Sequence, residues 1–347
     1  MIKWLNIPDS TKKNAYEQIA ERTGMSAFAV EKDWWVSRTL EIIFQMDIAS
    51  HLVFKGGTSL SKAWRLINRF SEDIDLAIDK EFFDGYEGDI SKSQIKKLRK
   101  EAGLYTTGTF FESLVNEFQK RGFEKLEFKI IESKDSDQDP RILEIYYPSV
   151  IKTSSEYILP RVQIEISCRS LREPFTNRIF GSLVDEVYQN EDFIEPLFEV
   201  PTVNPERTFL EKLFLLHEEF HRPEDKIRVN RLSRHLYDVY QLSKAGIDDK
   251  AINDKELYET IVAHRYKYSR VAHVDYNLHN PKFLNSIPKA SVIHAWNEDY
   301  SKMKEDMIYE DFKPTFSDLI ENLEVLINKL RGVNWKFELI FPKKIRN

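Results

Sequence analysis

The chain has 347 residues, of which 41% are hydrophobic and 31% charged, and its formal net charge is −6. This composition suits a folded globular protein of one or two domains and excludes a disordered chain, while the negative charge means that nucleic acid is bound only where a local basic patch exists. The single cysteine excludes an intramolecular disulfide. The first residues lack the apolar run of a signal peptide, and no stretch approaches the about 20 apolar residues of a membrane span. We therefore expect a cytoplasmic protein without membrane contact.

Helix and strand patterns alternate over residues 1–200. The predicted elements are helices 10–22 and 26–46, strand 52–54, helix 58–69, strand 73–78, helices 92–102 and 109–121, and strands 124–131, 141–147 and 161–168. Ser26 is the expected N-cap of the second helix. Gly103 and Gly122 are expected to end the two helices that precede them, and Thr109 is expected to open the second of these with a capping box.

The remainder of the chain is helical in pattern. Asn204, Pro205 and Glu206 form a typical helix start, because proline fits the first turn and an acidic residue there suits the helix dipole. The predicted helices are 204–220, 229–244, 253–264, 288–307 and 315–331, the last beginning with a capping box at Thr315. We therefore expect an α+β protein, with a mixed core over residues 1–200 and a mainly α-helical domain over residues 201–347.

Two acidic residues on the strand 73–78 indicate a metal site. Residues i and i+2 of a strand face the same side, so Asp73 and Asp75 project together while Ile74 and Leu76 face the core. Two carboxylates this close repel each other unless a cation lies between them, and Mg²⁺ (or Mn²⁺) prefers such oxygen ligands. The alternative is a pair of acids that ends a strand in a solvated turn.

A glycine pair precedes the acidic strand, in the segment FKGGTSLSK at residues 54–62. Gly56 and Gly57 allow a tight turn and close approach, the following helix directs free N–H groups at that turn, and Lys62 lies one turn further on. Together with the acidic pair, this is the layout expected for a metal-bound nucleoside triphosphate, although the spacing is not that of a Walker A loop. The predicted nucleotide-binding residues are Gly56, Gly57, Thr58, Ser59, Lys62, Ser71 and Arg234.

The order of these motifs resembles the nucleotidyltransferase superfamily that includes polymerase β, and it is most similar to the bacterial AbiEii/AbiGii toxin family. The similarity rests on four ordered segments besides the glycine turn: EKDWW at 31–35, RFSEDIDLAI at 69–78, RTFLEKLFLLH at 207–217 and RHLYDVYQL at 234–242. It covers residues 20–245, with a weaker echo in HRYKYSR at 264–270. The resemblance implies a polymerase-β-like nucleotidyltransferase core, which is a mixed sheet flanked by helices.

The resemblance also implies a third carboxylate on a later strand. Glu165, in the segment RVQIEIS, is the candidate, because it shares the polar face of its predicted strand with Gln163. Glutamate stands here where aspartate is commoner in the superfamily. Glu165 would bind a second metal and help to deprotonate the nucleophile. The alternative is an exposed strand residue without a catalytic role.

Two further catalytic positions come from the later motifs, where Lys212 and Asp238 match the motif lysine and the motif aspartate. Lys212 lies among apolar residues of a predicted helix, where a lysine is costly unless its ammonium meets an anion such as a triphosphate. The alternative for Lys212 is a structural pair with Glu211, Glu219 or Asp238. Asp238 either pairs with Arg234 four residues away, or orients Lys212 or Arg234, or binds the base or ribose.

Two basic tracts are the candidates for holding an acceptor nucleic acid. The first comprises Lys226, Arg228, Arg231 and Arg234, and the second comprises His264, Arg265, Tyr266, Lys267, Tyr268 and Arg270. Tyrosines between basic residues stack on unpaired bases in many proteins that bind single-stranded RNA. The residues predicted to contact nucleic acid are Arg228, Arg231, Arg265 and Lys267. Solvated surface is the alternative for both tracts.

The family resemblance implies a growth-arresting toxin of a bacterial toxin–antitoxin or abortive-infection system, with a separately encoded antitoxin as partner. The expected reaction is Mg²⁺-dependent transfer of NMP from an NTP to an acceptor hydroxyl, with release of pyrophosphate. RNA is the preferred acceptor, in particular the 3′ end of tRNA. The alternatives are nucleotidylation of a protein hydroxyl, transfer of the γ-phosphate, and a regulatory or interaction module that binds nucleotide without turnover.

Overall fold

The computed structural model describes residues 2–71, 73–152 and 159–342, and it divides the chain into two units. The first unit comprises residues 1–65 and 70–203, and the second comprises residues 66–69 and 204–347. Within the described residues, none of the helices combines the length and the apolar character that crossing a bilayer requires.

A seven-stranded mixed sheet forms the centre of the first unit. The strands are β1 (Leu52–Lys55), β2 (Asp73–Ile78), β3 (Glu127–Ile130), β4 (Arg141–Tyr146), β5 (Arg161–Ser167), β6 (Phe175–Phe180) and β7 (Phe198–Val203). Their order across the sheet is β3-β4-β5-β2-β1-β7-β6. β2 runs parallel to β5 and antiparallel to β1, and β1 runs parallel to β7. The expected mixed sheet with flanking helices is confirmed.

Helices cover the sheet of the first unit. They are α1 (Asp9–Thr23), α2 (Ala27–Ile43), α3 (Gly56–Thr58), α4 (Lys92–Tyr105), α5 (Phe111–Lys120) and α6 (Leu183–Val187). α2 packs against β2 and β5 and also contacts α1. The Ser26 hydroxyl accepts a hydrogen bond from the Ala29 N–H, which confirms the predicted N-cap.

Three predictions for the first unit were wrong in their bounds. The helix predicted over 58–69 ends earlier: α3 continues as a π-helical turn over Ser59–Ala63, and the chain then turns at Arg65 with φ of 55°. Gly103 does not end α4, which continues to Tyr105. The glycine instead makes room for the Arg141 side chain, whose Nε would lie 2.5 Å from a Cβ at that position. Thr109 therefore lies within a second π-helical turn, Thr106–Phe110, that joins α4 to α5.

The second unit consists of helices around α7 (Pro205–Phe220). The others are α8 (Arg234–Lys244), α9 (Ile247–Asn253), α10 (Lys255–Tyr268), α11 (Ile293–Asp306) and α12 (Phe316–Arg331). α7 packs against α8, α9 and α10, and α12 packs against α8 and α11. The segment 66–69 belongs to this unit because Arg69 forms a β-bridge with Ile308.

Local signals placed some of these helices well and others poorly. Pro205 occupies the first turn of α7, and the capping box of Thr315 with Asp318 opens α12, as predicted. α8 begins five residues later than expected, so that residues 229–233 form a connection instead of the first turn of a helix. α9, α6, β6 and β7 were not predicted, because each is short and lacks a clear period.

Candidate active site

Three acidic side chains share one face of the sheet in the first unit. Asp73 and Asp75 lie on β2, with Ile74 and Leu76 fully buried on the opposite face. β5 runs beside β2 with Asp75 directly paired to Glu165. Directly paired residues of neighbouring strands project to the same side, so Glu165 joins the two aspartates.

The glycine turn touches this acidic face. Gly56, directly after β1, has a φ of 80°. Residues other than glycine rarely adopt this backbone conformation. A Cβ at Gly56 would lie only 1.9 Å from Asp75 Oδ2. The carboxylate of Asp75 therefore packs against the glycine backbone in space that any side chain would fill.

Two hydroxyl groups hold the turn in place. The Thr58 hydroxyl donates to the main-chain carbonyl of Asp73 at 2.6 Å, and it lies 3.0 Å from the Ser71 hydroxyl. The Ser59 hydroxyl donates to the Gly56 carbonyl at 2.9 Å. The side chains of Thr58 and Ser59 are buried. These hydroxyls thus link α3 to β2 within the protein, and their direct contact with nucleotide stays a prediction.

The electrostatics of the acidic face indicate a need for positive charge. Burial, followed by the charges of Asp75 and Asp73, raises the pKa of Glu165 to about 7. Lys55, which pairs directly with Asp75 across β1 and β2, acts in the opposite direction on that pKa. Gln163 donates to Glu165 Oε1 at 2.8 Å. Burial and two neighbouring carboxylates thus hold the pKa of Glu165 near neutral pH, and a cation that joins the group would ionise this carboxyl fully.

The acidic side chains are adjacent without yet converging on one point. Over residues 2–71, 73–152 and 159–342, no three His, Cys, Asp or Glu side chains stand close enough together to hold a metal ion. Oxygen donors on adjacent strand positions nevertheless match the ligand type that Mg²⁺ prefers. The residues present therefore fit a divalent metal by chemistry and by their shared face.

Lys62 has a partner within the first unit. Its Nζ lies 2.6 Å from Asp33 Oδ1, and the second oxygen of Asp33 accepts from the Leu183 N–H at 2.8 Å. Asp33 belongs to the EKDWW segment on α2, which is thereby joined to the helix that follows the glycine turn. Contact between Lys62 and phosphate stays a prediction that requires this pair to open.

A second cluster of charges lies in the second unit, around Asp238 on α8. Arg69 Nε and Nη2 donate to the two oxygens of Asp238 at 2.6 and 2.8 Å. Lys212 Nζ, from the middle of α7, lies 2.8 Å from Asp238 Oδ2. The pairing of Lys212 with Asp238 is one of the structural alternatives considered above, whereas Arg69 takes the place expected for Arg234.

Burial and charge act in opposite directions on the pKa values of this cluster. Burial alone would raise the pKa of Asp238, but Arg69 and Lys212 outweigh burial and hold that pKa below its usual value. Burial lowers the pKa of Lys212, and it keeps His235, whose Nδ1 lies 3.5 Å from Lys212 Nζ, in the neutral form.

Comparison with known proteins identifies the family of the chain. The family model described as the nucleotidyl transferase AbiEii toxin of type IV toxin–antitoxin systems matches residues 38–322. The chain belongs to the AbiEii nucleotidyltransferase toxin family. The predicted resemblance is confirmed, and family membership implies a transferase with an NTP substrate and an antitoxin partner.

Solved structures add little to the AbiEii assignment. MenT4, a nucleotidyltransferase toxin from Mycobacterium tuberculosis, is 17% identical with a TM-score of 0.40, over 94% of this chain and 100% of that chain. JHP933 from Helicobacter pylori is 14% identical with a TM-score of 0.42, over 88% of this chain and 93% of that chain. A comparison with curated proteins finds no match.

Arg265, in the second basic tract of this AbiEii chain, has a partner within the second unit. Its guanidinium is paired through two nitrogens with Glu218, and Glu218 raises its pKa against the effect of burial. Arg265 is partly buried in this pair, and its contact with nucleic acid stays a prediction. A helix places consecutive residues on different faces, and sequence spacing alone did not say which face of the tract is buried.

The other three predicted nucleic-acid contacts lie at partly or fully exposed positions. Arg228 is half exposed and pairs with Glu219, with its Nη2 2.7 Å from Oε2. Lys267 Nζ lies 5.5 Å from the centre of the Tyr268 ring. Arg231 lies in the connection before α8 with φ of 61°. Their role in binding nucleic acid stays a prediction.

Sequence reasoning missed two charged residues of the site. Arg69 was read only as the first residue of the RFSEDIDLAI segment, and Lys55 only as the residue before the glycine pair. Both are basic residues beside buried apolar positions, which was the available signal. Arg69 binds Asp238, which is far away along the chain, and Lys55 lies opposite Asp75 on the neighbouring strand.

Proposed function

We propose that this AbiEii protein is a Mg²⁺-dependent nucleotidyltransferase that transfers NMP from an NTP to a hydroxyl of RNA, with the 3′ end of tRNA as the preferred acceptor. The acceptor oxygen bonds to the α-phosphorus, the bond from that phosphorus to the bridging oxygen breaks, and pyrophosphate leaves. The hydroxyl proton passes to a carboxylate of the protein.

One observation carries the proposal: the Asp75 carboxylate lies against Gly56 and directly beside Glu165. The missing side chain of Gly56 lets the Asp75 carboxylate lie close to the main chain of the turn. A triphosphate bound at the turn would therefore adjoin the acidic face, which is the arrangement that phosphoryl transfer requires.

Asp73, Asp75 and Glu165 would hold the metal. A divalent ion bound there supplies charge neutralisation for the triphosphate and the leaving pyrophosphate. Glu165, ionised by the bound cation, would accept the proton of the acceptor hydroxyl. Thr58 and Ser59 hold the turn in place beside the acidic face.

The buried pair of Lys212 and Asp238, which match the motif lysine and the motif aspartate, supports the proposal. Asp238 holds Arg69 and Lys212 in fixed positions, so its role is to orient these cations.

The test is transfer of label from each of the four α-³²P-labelled NTPs to total cellular RNA in the presence of Mg²⁺. We expect label in RNA that disappears on treatment with RNase and that is absent with Asp75→Asn. Asp84→Asn, at an exposed acidic position, is the matched control and retains transfer. Purified tRNA with and without its terminal nucleotides then identifies the acceptor end.

Three outcomes contradict the proposal. Label that resists RNase but disappears with protease indicates nucleotidylation of a protein. Label from γ-³²P-labelled but not α-³²P-labelled NTP indicates phosphotransfer. NTP binding that needs Asp75 without any transfer indicates a binding module. Growth arrest on expression, relieved by a co-expressed antitoxin, reports on the toxin role separately from the chemistry.

A further inference from the structure

A cavity of about 620 Å³ opens in the second unit, distinct from the Asp238 cluster in its lining residues. Its wall includes the end of α7, the end of α10 with the segment that follows, and residues 341–342. The side chains that matter below are His221, Arg222, Tyr266, Arg270 and Phe341. Cavities of roughly 300–1,000 Å³ are the size that holds one small organic molecule.

The HRYKYSR segment splits between two environments at this cavity. Arg265 is paired with Glu218, whereas Tyr266 and Arg270, four positions apart, both line the cavity. The Arg270 guanidinium carbon lies 4.7 Å from the centre of the Tyr266 ring. In the part of the chain that the structure describes, Arg270 has no carboxylate partner. It is a cation held in place by an aromatic ring, with its donors available.

A second cation at the cavity is only partly neutralised. Arg222 Nε lies 3.1 Å from Glu219 Oε2, but the same oxygen also binds Arg228 Nη2 at 2.7 Å. Two guanidinium groups thus share one carboxylate. Asp275 is the only carboxylate in the cavity wall among the described residues, and it accepts hydrogen bonds from the main-chain and side-chain nitrogens of Asn277. The wall as a whole favours an anion.

Aromatic rings and a hydrogen-bond acceptor complete the wall. The Tyr266 ring centre lies 4.5 Å from that of Phe341 and 5.3 Å from that of Tyr276. His221 Nδ1 lies 2.7 Å from the His217 carbonyl oxygen, which can only accept, so Nδ1 carries the proton. Burial lowers the pKa of His221, and in the neutral ring Nε2 is an acceptor for an amino group.

We propose that this cavity binds one unpaired nucleotide of the acceptor RNA. Arg270 and Arg222 bind the phosphate, while the base lies against the guanidinium of Arg270 and the aromatic rings and meets His221 Nε2. The inference rests on the proposed function for the identity of the acceptor. Cationic groups beside aromatic rings are how many proteins hold single-stranded RNA, and a cavity of this size holds one nucleotide but not a duplex.

The test is fluorescence anisotropy with a labelled single-stranded RNA, its duplex of the same length, and AMP as competitor. Arg270→Gln removes charge and stacking, and we expect affinity for the single strand to fall roughly tenfold. The slope of log affinity against log salt becomes shallower by about 0.7 for each phosphate that the protein no longer neutralises. Arg270→Lys keeps the charge, so it keeps the slope but not the full affinity.

Arg331→Gln, at an exposed position at the end of α12, is the matched control and binds RNA as the unaltered protein does. Thermal melting of each variant checks that the fold is intact. In the transfer assay, Arg270→Gln raises KM for RNA while KM for NTP is unchanged. A ribonucleotide carrying 4-thiouracil cross-links to the peptide that contains Tyr266.

Several results would overturn the assignment. One is that Arg270→Gln binds RNA as tightly as the unaltered protein does. Another is that the protein binds duplex and single strand equally well. The third is that AMP binds tightly but leaves RNA binding unaffected. The last result would identify the site as one for free nucleotide. Transfer activity with an unchanged KM for RNA in Arg270→Gln refutes the cavity alone. Arg270-dependent RNA binding without any transfer activity refutes the proposed function alone.

Discussion

Gly56→Ala tests whether the position of the Asp75 carboxylate depends on the glycine turn. The new Cβ would lie 1.9 Å from Asp75 Oδ2 and 2.7 Å from its Cγ, whereas such contacts essentially never fall below 3.0 Å. The carboxylate oxygen must therefore move by about 1 Å. A displacement of that size in a catalytic group costs on the order of a hundredfold in rate.

The stability cost has two parts. A residue with a Cβ at φ of 80° costs about 1–2 kcal/mol, and forcing the carboxylate aside adds about 1–3 kcal/mol. Gly85→Ala is a matched control, because Gly85 has φ of 85° but nothing within 4 Å of its Cβ position. We expect Gly85→Ala to show the backbone cost without the displacement.

The assays are urea denaturation followed by circular dichroism, and label transfer measured at the folded fraction of each variant. Gly56→Ala should lose about 1–3 kcal/mol more stability than Gly85→Ala and about a hundredfold in kcat/KM. Gly85→Ala should transfer label like the unaltered protein. Equal activity of the two variants would refute the role assigned to the contact between Gly56 and Asp75.

The remaining predictions concern charge. Glu165 has a pKa of about 7 in the folded protein against 4.5 ordinarily. Between these two pH values the folded state holds a proton that the unfolded chain has released, so the free energy of unfolding falls as pH rises from 4.5 to about 7. Glu165→Gln removes this effect and should stabilise the metal-free protein by up to about 3 kcal/mol at pH 8, while transfer is abolished. A melting temperature in EDTA below that of the unaltered protein would contradict this. Lys55→Gln removes a charge that lowers the pKa of Glu165, so the acidic limb of the pH–rate profile should move to higher pH, and an unmoved limb would exclude the interaction. Asp238→Asn removes the carboxylate that pairs with the buried Arg69 and Lys212 side chains and should lower the free energy of unfolding by about 3–5 kcal/mol in urea denaturation. A change close to zero would show that the three charges are not coupled.

Local patterns predicted the parts of the fold that depend on local backbone geometry. The i, i+2 rule placed Asp73 and Asp75 on one face of β2, with Ile74 and Leu76 buried behind them. Ser26 was identified as an N-cap because its hydroxyl needs only an N–H three residues away. These inferences hold because a strand's period and a helix cap involve residues that are neighbours in the chain.

Contacts between distant residues were the part that local patterns predicted poorly. Gly103 looked like a helix end, but it is a point of close approach for Arg141 on a strand 38 positions further along the chain. Lys62 looked available for phosphate until the structure showed its pair with Asp33. Arg265 looked like surface because the sequence does not say which face of α10 meets Glu218.

The amino-acid sequence by itself determined the family of this protein, the acidic strand and the glycine turn, since each is written in consecutive residues. Only the tertiary structure decided that β5 runs beside β2 with Glu165 opposite Asp75, and that Asp238 binds Arg69, 169 positions away. The physical reason is that strand register and buried ion pairs are set by which elements pack together. Packing depends on the shape and charge of the whole chain, whereas helix caps and strand alternation depend on a few neighbouring residues.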